Sequence, residues 1–304
     1  MDDMIIARSD GSPTYNFCVV IDDSDMKISH VIRGDDHLAN TPRQAVIYKA
    51  LGLALPKFAH VSMILGRDGA RLSKRHGAMS VMEYRDRGFL PGALLNYLVR
   101  LGWSHGDQEV FTLDEMKTHF DFGAVSKSAA KFDEEKLLWL NTEYLRAEPP
   151  QHLAQLVAPF LEEKGVKVEL EKIEKLIPML VQRAKTIADL ANGMTYFFTD
   201  NVEYNEKAAT KFLKPAVAEP LKELSSRLNG IDFSSEENIE TAFRALIDER
   251  GMKLKELAQP VRIALTGGTV SPGLFEVMKA LGQEKCVARI KTAGEYSESG
   301  EHVK

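Results

Sequence analysis

Gly66-Arg67-Asp68-Gly69-Ala70-Arg71-Leu72-Ser73-Lys74-Arg75-His76-Gly77-Ala78 is a glycine-punctuated loop that concentrates basic and hydroxyl side chains. Its glycines let the backbone bend and approach a ligand closely. Arg71, Ser73, Lys74 and Arg75 supply charge and donors suited to phosphate. On composition alone such a loop is also an ordinary solvated turn. The setting separates the two readings. The apolar run Phe58 to Leu65 reads as a strand feeding into the loop, and Ser80-Val81-Met82-Glu83-Tyr84 resumes a helical pattern after it. Strand, basic loop, helix is the order in which α/β folds place phosphate chemistry.

Upstream, Met4 to Ala7 reads as a short strand closed by the turn Ser9-Asp10-Gly11-Ser12-Pro13. Tyr15 to Ile21 is a nearly continuous apolar run, suited to an element covered on both faces, and Asp22-Asp23-Ser24-Asp25 ends it. Met26 to Ile32 alternates loosely up to Arg33. A helix fits Thr41 to Leu51, with Thr41 as cap, Pro42 first, and Ala45, Ile47, Tyr48 and Leu51 inward. Strand, helix, strand, loop, helix is half of a doubly wound sheet. An unpaired edge and an exposed apolar patch are therefore expected.

Downstream the pattern is helical. Leu90-Pro91 opens a helix with Leu94, Leu95, Leu98 and Leu101 on one stripe. Thr112 caps a second, running to Phe120, and Asp133-Glu134-Glu135 starts a third carrying Leu137, Leu138 and Leu140. These leucines and aromatics read as core, whereas Lys127 and Lys131, in a Ser/Ala-rich link, are either solvated or set against a phosphodiester backbone. Pro149-Pro150 marks a boundary, beyond which helices are expected at about 151–164, 169–184, 185–199, 206–212, 218–228, 235–250 and 273–282. The final ten residues read as frayed. The fold class is thus α/β followed by all-α.

A chain of 304 residues has room for two or three domains, and 44% hydrophobic with 27% charged residues is a globular composition. No apolar run approaches the roughly 20 residues that span a bilayer. The acidic N-terminus lacks signal-peptide order, so a cytoplasmic protein is expected. Cys18 and Cys286 have no metal or disulfide spacing and read as buried thiols. The net charge of −5 argues against unspecific coating of nucleic acid, though not against a local basic face.

Arg71-Leu72-Ser73-Lys74-Arg75 resembles the Lys-Met-Ser-Lys-Ser signature of class I aminoacyl-tRNA synthetases. With His76-Gly77-Ala78 following, it is similar to the bacterial glutamyl-tRNA synthetase form. Asp10-Gly11-Ser12-Pro13-Thr14-Tyr15-Asn16-Phe17, Val31-Ile32-Arg33-Gly34-Asp35-Asp36-His37, Leu94 to Trp103 and Lys136 to Asn141 resemble that family in the same order. Pro260-Val261-Arg262-Ile263-Ala264-Leu265-Thr266-Gly267-Gly268, with Ser271-Pro272, is similar to its anticodon-binding signature. The family's His-x-Gly-His motif does not occur, because the histidines at 30, 37, 60, 76, 105, 119, 152 and 302 include no pair three apart. The chain therefore looks like a family member that begins at its Asp-Gly-Ser-Pro-Thr-Tyr segment.

The resemblance implies the C-terminal half of a Rossmann-like catalytic domain at 1–88, a helical stem-contact domain at 89–148 and a helical anticodon-binding domain at 149–304. It implies ATP-dependent joining of glutamate to AMP and transfer to tRNA(Glu), in some bacterial relatives also tRNA(Gln), by a monomer. Lys74 is the expected catalytic residue, and Arg71, Leu72, Ser73, Lys74, Arg75 and Asp36 the expected ATP-binding set. Asp36 is equally explained as a helix N-terminal acid. Tyr15 and Arg33 match glutamate-contacting positions, and His37 lies near them. Arg262 is a candidate for tRNA, with a surface arginine as the plainer explanation. Mg2+ is implied by the reaction; zinc is not, for want of ligands. The attacking carboxylate is already ionised, so catalysis rests on alignment and charge neutralisation rather than a general base. Without the missing motif, the chain alone is expected to be inactive, and a non-catalytic tRNA-binding module is the alternative. A tRNA-base glutamylating enzyme is disfavoured by the long helical C-terminal part, and a glutaminyl enzyme by that part not being β-rich.

Overall fold

The computed structural model describes residues 3–72 and 79–299. The described chain is α/β at its start and all-α afterwards, and it forms two compact units, Met1–Asn141 and Thr142–Lys304.

In the first unit, α1 (Tyr15–Asp25) leads to β1 (His30–Gly34), a 3-10 turn (Asp35–His37), α2 (Thr41–Ala50) and β2 (Lys57–Val61). β1 and β2 pair in parallel, from His30 opposite Lys57 to Gly34 opposite Val61, which makes a βαβ unit. Val20 of α1 packs with Ile47 and Tyr48 of α2, and Phe58 of β2 closes on the same cluster. β3 (Ile64–Leu65) pairs in parallel with β4 (Ala130–Lys131). Between them lie α3 (Val81–Asp86), α4 (Pro91–Arg100) and α5 (Leu113–His119), and α6 (Glu134–Ala147) follows. Ser80 and Thr112 open α3 and α5 with capping boxes, in which Glu83 and Glu115 return a hydrogen bond to the cap N–H. Buried Asn96 and Asn141 knit the helical part by accepting from Phe111 N at 2.7 Å and Leu90 N at 2.8 Å.

Several expectations for this unit are corrected. Tyr15 to Ile21 is the start of helix α1, of which only Val20 is buried; an apolar run of that length fits strand or helix, and periodicity alone does not arbitrate. Met4 to Ala7 makes only one bridge, Ala7 opposite Pro13. Asn40, not Thr41, occupies the N-cap of α2, and Leu51 is exposed. Cys18 is half-buried rather than buried. The expected open sheet is present: β1 and β2 gain no third strand among the described residues, and Ile32 and Val61 lie exposed.

The second unit stacks α7 (Pro150–Glu162), α8 (Leu170–Leu180), α9 (Ile187–Met194), α10 (Glu206–Phe212), α11 (Ala218–Leu228), α12 (Glu236–Arg250), α13 (Leu254–Thr266), α14 (Leu274–Leu281) and α15 (Gln283–Ser299). Its core is dense, with Leu153, Ile173, Leu190, Leu221, Phe243, Val261 and Ile290 fully buried. The expected spans 206–212 and 218–228 coincide with α10 and α11. Helices α13 and α15 had no counterpart in the sequence reading, and the tail expected to fray is helical to Ser299. α13 ends on Gly267, whose φ of +77° is left-handed and whose added Cβ would meet Glu203 O at 2.3 Å.

Candidate functional site

β1 ends at Gly34, and the 3-10 turn sets Asp36 and His37 just beyond the carboxyl ends of the two parallel strands. Open α/β sheets bind ligands at that edge. The chain returns there through a hairpin. Leu72 N donates to Ile64 O at 2.9 Å and Gly66 N to Ala70 O at 2.8 Å, while Asp68 Oδ1 accepts from Ala70 N at 3.0 Å. Gly69, at φ +78°, supplies the left-handed residue this turn needs. The hairpin delivers Arg71 Nη2 to 3.0 Å from Asp36 Oδ2. Arg71 is 63% exposed at its side chain, so the pair is solvent-screened and readily exchanged for another anion. Leu72 is the last described residue of the loop; Ser73, Lys74 and Arg75 lie outside the described residues.

Arg33, on β1, is half-buried and partly committed. Its Nη2 donates to Thr41 Oγ1 and Gln44 Oε1, both at 2.9 Å, and its guanidinium lies 5.6 Å from the Phe58 ring centroid. Nε is sealed from solvent without a partner among the described residues. Gln44 Nε2 donates in turn to Asn16 Oδ1 at 3.0 Å, beside Tyr15, and Thr41 Oγ1 meets His60 Nε2 at 2.9 Å. Tyr15 is half-exposed, its hydroxyl 3.5 Å from His37 Nδ1. Asn40 also reaches His37 Nδ1, and His37 Nε2 stands 4.0 Å from Asp36 Oδ2. Tyr15, Arg33, Asp36 and Arg71 are therefore gathered at one end of the βαβ unit by His37 and Gln44. Sequence reasoning missed Asn16, Thr41, Gln44 and His60. Gln44 carried a signal, being a polar letter on the Ile47–Tyr48 face of α2, where it is buried.

A second place lies in the helical unit. A cavity of about 240 Å³ is lined by Arg183, Asp189, Asn192, Tyr196, Thr266 and the Val270-Ser271-Pro272 turn, among others. Arg262 does not line it. Its Nη1 donates to Ser271 Oγ and O and, at 2.8 Å, to Pro272 O, so it braces the turn that does. Burial, then the like charge of Arg183, lowers the Arg262 pKa. Burial also pushes the Tyr196 phenol well up, keeping it neutral, and its hydroxyl has no partner among the described residues. The cavity offers a cation, an amide, a carboxylate and an aromatic face, a set that suits a heteroaromatic base. Lys131 lies on β4 beside Arg67 in a hollow of the first unit, and Lys127 is exposed. Among the described residues no group of three or more His, Cys, Asp or Glu is placed to hold a metal, and no helix is long and apolar enough to cross a membrane.

Residues 1–139 match the catalytic domain of the class I tRNA synthetases (E and Q), and residues 152–294 match an anticodon binding domain. The chain belongs to this class I tRNA synthetase family. Within it, the similar curated relatives are glutamate–tRNA ligases, one from Syntrophobacter fumaroxidans 54% identical over 96% of this chain and one from Syntrophus aciditrophicus 52% identical over 99%. The chain spans 63% and 64% of the length of those two relatives. A crystal structure of a glutamate tRNA ligase from Elizabethkingia meningosepticum, in complex with its amino acid, matches with a TM-score of 0.81 at 33% identity, covering 97% of this chain and 62% of that one. The glutamate-tRNA synthetase of Elizabethkingia anophelis matches at 0.76 and 32% identity, with the same coverage.

Proposed function

We propose that this chain is the phosphate-loop, stem-contact and anticodon-binding portion of a cytoplasmic, monomeric glutamate–tRNA ligase, arranged as 1–88, 89–148 and 149–304. The observation that carries the reading is the Asp36–Arg71 pair, 3.0 Å apart at the carboxyl edge of a parallel βαβ unit, in a chain about half identical to such ligases. ATP is the substrate whose phosphates Arg71, Ser73, Lys74 and Arg75 receive, with the Leu72 backbone held in the hairpin and Asp36 orienting Arg71. Lys74 neutralises charge that builds as a glutamate carboxylate oxygen attacks the α-phosphorus and pyrophosphate departs. Arg33 and Tyr15 hold the amino acid. Arg33 is already oriented by Thr41 and Gln44 and keeps a further nitrogen for a carboxylate. Asp36 would supply a carboxylate to a nucleotide-associated Mg2+ ion, which needs only one or two such protein ligands and would offset phosphate charge.

In the helical unit, the cavity beside Tyr196 takes an unstacked anticodon base of tRNA(Glu), with Arg262 bracing its rim. A second reading, a tRNA-binding module without catalysis, rests on the absence of a His-x-Gly-His motif from these 304 residues. ATP–pyrophosphate exchange with glutamate, run beside tRNA binding, separates the two. The chain is expected to bind tRNA(Glu) and to show no useful exchange; robust exchange by residues 1–304 overturns the incompleteness, and absent tRNA binding overturns the family role. Charging of tRNA(Gln) is scored in the same assay.

A further inference from the structure

The wall of the cavity that carries Tyr196 has an unusual support. Tyr196 sits in the 3-10 turn Thr195–Phe197 that ends α9, and three cations converge on the carbonyls there. Lys172 Nζ, from α8, donates to Phe197 O at 2.9 Å. Lys285 Nζ, from α15, donates to Thr199 O at 3.0 Å. Arg289, one turn further along α15, donates from Nη2 to Tyr196 O at 2.8 Å and Thr199 O at 2.6 Å. Its Nη1 donates to Leu265 O at 2.7 Å, the residue before the cavity-lining Thr266. One guanidinium thus joins the main chain of two walls.

Arg289 is only 5% exposed and makes no ion pair among the described residues; its Nε has no partner there. A buried charge held by carbonyls alone is a poor way to gain stability, since an apolar side chain of similar volume commonly does as well or better. What it does provide is direction. The ends of α9 and α13 both point unsatisfied carbonyls inward, and a planar fork of donors fixes their mutual geometry as a hydrophobic side chain would not.

We propose that Arg289, with Lys172 and Lys285, is a positioning residue for base recognition, holding Tyr196 and Thr266 in the arrangement that fits an unpaired nucleobase. The proposal rests on reading the cavity as the anticodon-base site. None of the three cations touches the base; they act through the main chain of those that do.

The test uses the 304-residue chain and two readouts. The first is the ratio of dissociation constants for tRNA(Glu) transcripts with native and single-base-altered anticodons. The second needs no RNA: the ring NMR signals of Tyr196, assigned through Tyr196→Phe. Arg289→Met is expected to keep its melting temperature, to shift or broaden the Tyr196 ring signals, and to lower the discrimination ratio about tenfold, the size of one lost charge-assisted hydrogen bond. Arg289→Lys should restore part of both. Lys285→Met, at a partly exposed position where Nζ also stands 3.4 Å from Asp200 Oδ1, should do the same at about threefold, and it carries the test should Arg289→Met not fold. Unchanged ring signals and an unchanged ratio in a folded variant overturn the proposal, as does a lowered melting temperature with the ratio intact. If the unmodified chain itself fails to distinguish anticodons, the base-site reading falls, while the ring signals still decide whether the cations position Tyr196.

Discussion

Arg33 and Arg71 sit at the same strand edge and differ in how far they are committed. Arg33 is oriented by Thr41 and Gln44 before any ligand arrives, while Arg71, its side chain in solvent, pairs with Asp36. In a full-length enzyme carrying these residues, Arg33→Gln should weaken glutamate binding by about 2–4 kcal/mol, the range for one partner lost from a hydrogen-bonded charge pair, with ATP affinity little changed. Lys74→Ala should do the reverse, lowering turnover about 100-fold, like loss of one transition-state donor, with a small change in glutamate affinity. Steady-state kinetics on both variants checks the crossing; slowed turnover with intact glutamate affinity in Arg33→Gln would move that residue off the amino acid. The two thiols give a simpler contrast. Burial pushes the Cys286 thiol up to about 12, and its Sγ lies 3.4 Å from Met278 O, whereas Cys18 is half-buried on α1. Iodoacetamide on the native chain should modify Cys18 and spare Cys286, read by peptide mass. Each charged residue at the strand edge was legible in the sequence as a candidate. The pairing was not. Asp36 meets Arg71 because the hairpin after β3 returns to the end of β1, and Thr41 meets His60 because α2 packs beside β2; nothing local in the letters fixes such contacts.

At the scale of elements, the signals that survived are those with a local mechanism. Thr112, read as a cap, forms one reciprocally with Glu115; Ser80 with Glu83 and Thr186 with Asp189, not read as caps, do the same. Thr112→Ala should therefore cost about 1 kcal/mol in denaturant unfolding. Gly267→Ala should cost more than about 1 kcal/mol, since it combines a left-handed φ with a contact against Glu203 O; a smaller loss would mean that the 203–205 segment moves aside freely. α15 escaped sequence reading for a physical reason: its buried stripe is Cys286, Arg289, Ile290, Ala293, Gly294 and Ser297, which is helical in spacing but barely hydrophobic. Pro260 hid α13, though the helix simply contains it. α1 was misread because five apolar letters in a row, Phe17 to Ile21, satisfy both periods. An acid-sensitive tie joins α4 to the loop after it: Arg100 first, then Lys136, holds the Glu109 carboxyl below its ordinary 4.5. A lowered pKa in the folded state adds stability above the unfolded value, and that contribution is lost as pH falls through the folded one. Glu109→Gln should thus lower stability at pH 7 and flatten its loss below about pH 4.5, measured by urea titration at several pH values.

On the scale of the whole molecule, phosphate contacts should make tRNA binding fall steeply between 50 and 200 mM salt, on the order of 10³-fold if six or more phosphates are neutralised. A salt-independent affinity would remove the RNA-binding role of the helical unit. The exposed large hydrophobic side chains are distributed very unevenly. Among the described residues, all except Leu170, Leu254 and Val270 belong to the first unit, including Ile5, Ile32, Leu55, Val61 and Phe122. The second unit, by contrast, closes over a full core. Heat capacity translates this difference into thermodynamics. Unfolding raises heat capacity by about 12–15 cal/mol/K per residue when a folded core hands its apolar surface to water. A unit whose isoleucines and valines are already hydrated has less to hand over, so its increment per residue should be smaller and its stability curve flatter with temperature. Its dependence on denaturant should be shallow for the same reason. Scanning calorimetry of the chain is then expected to resolve two transitions of unequal heat-capacity step, the smaller one belonging to the half that carries the β1–β2 sheet.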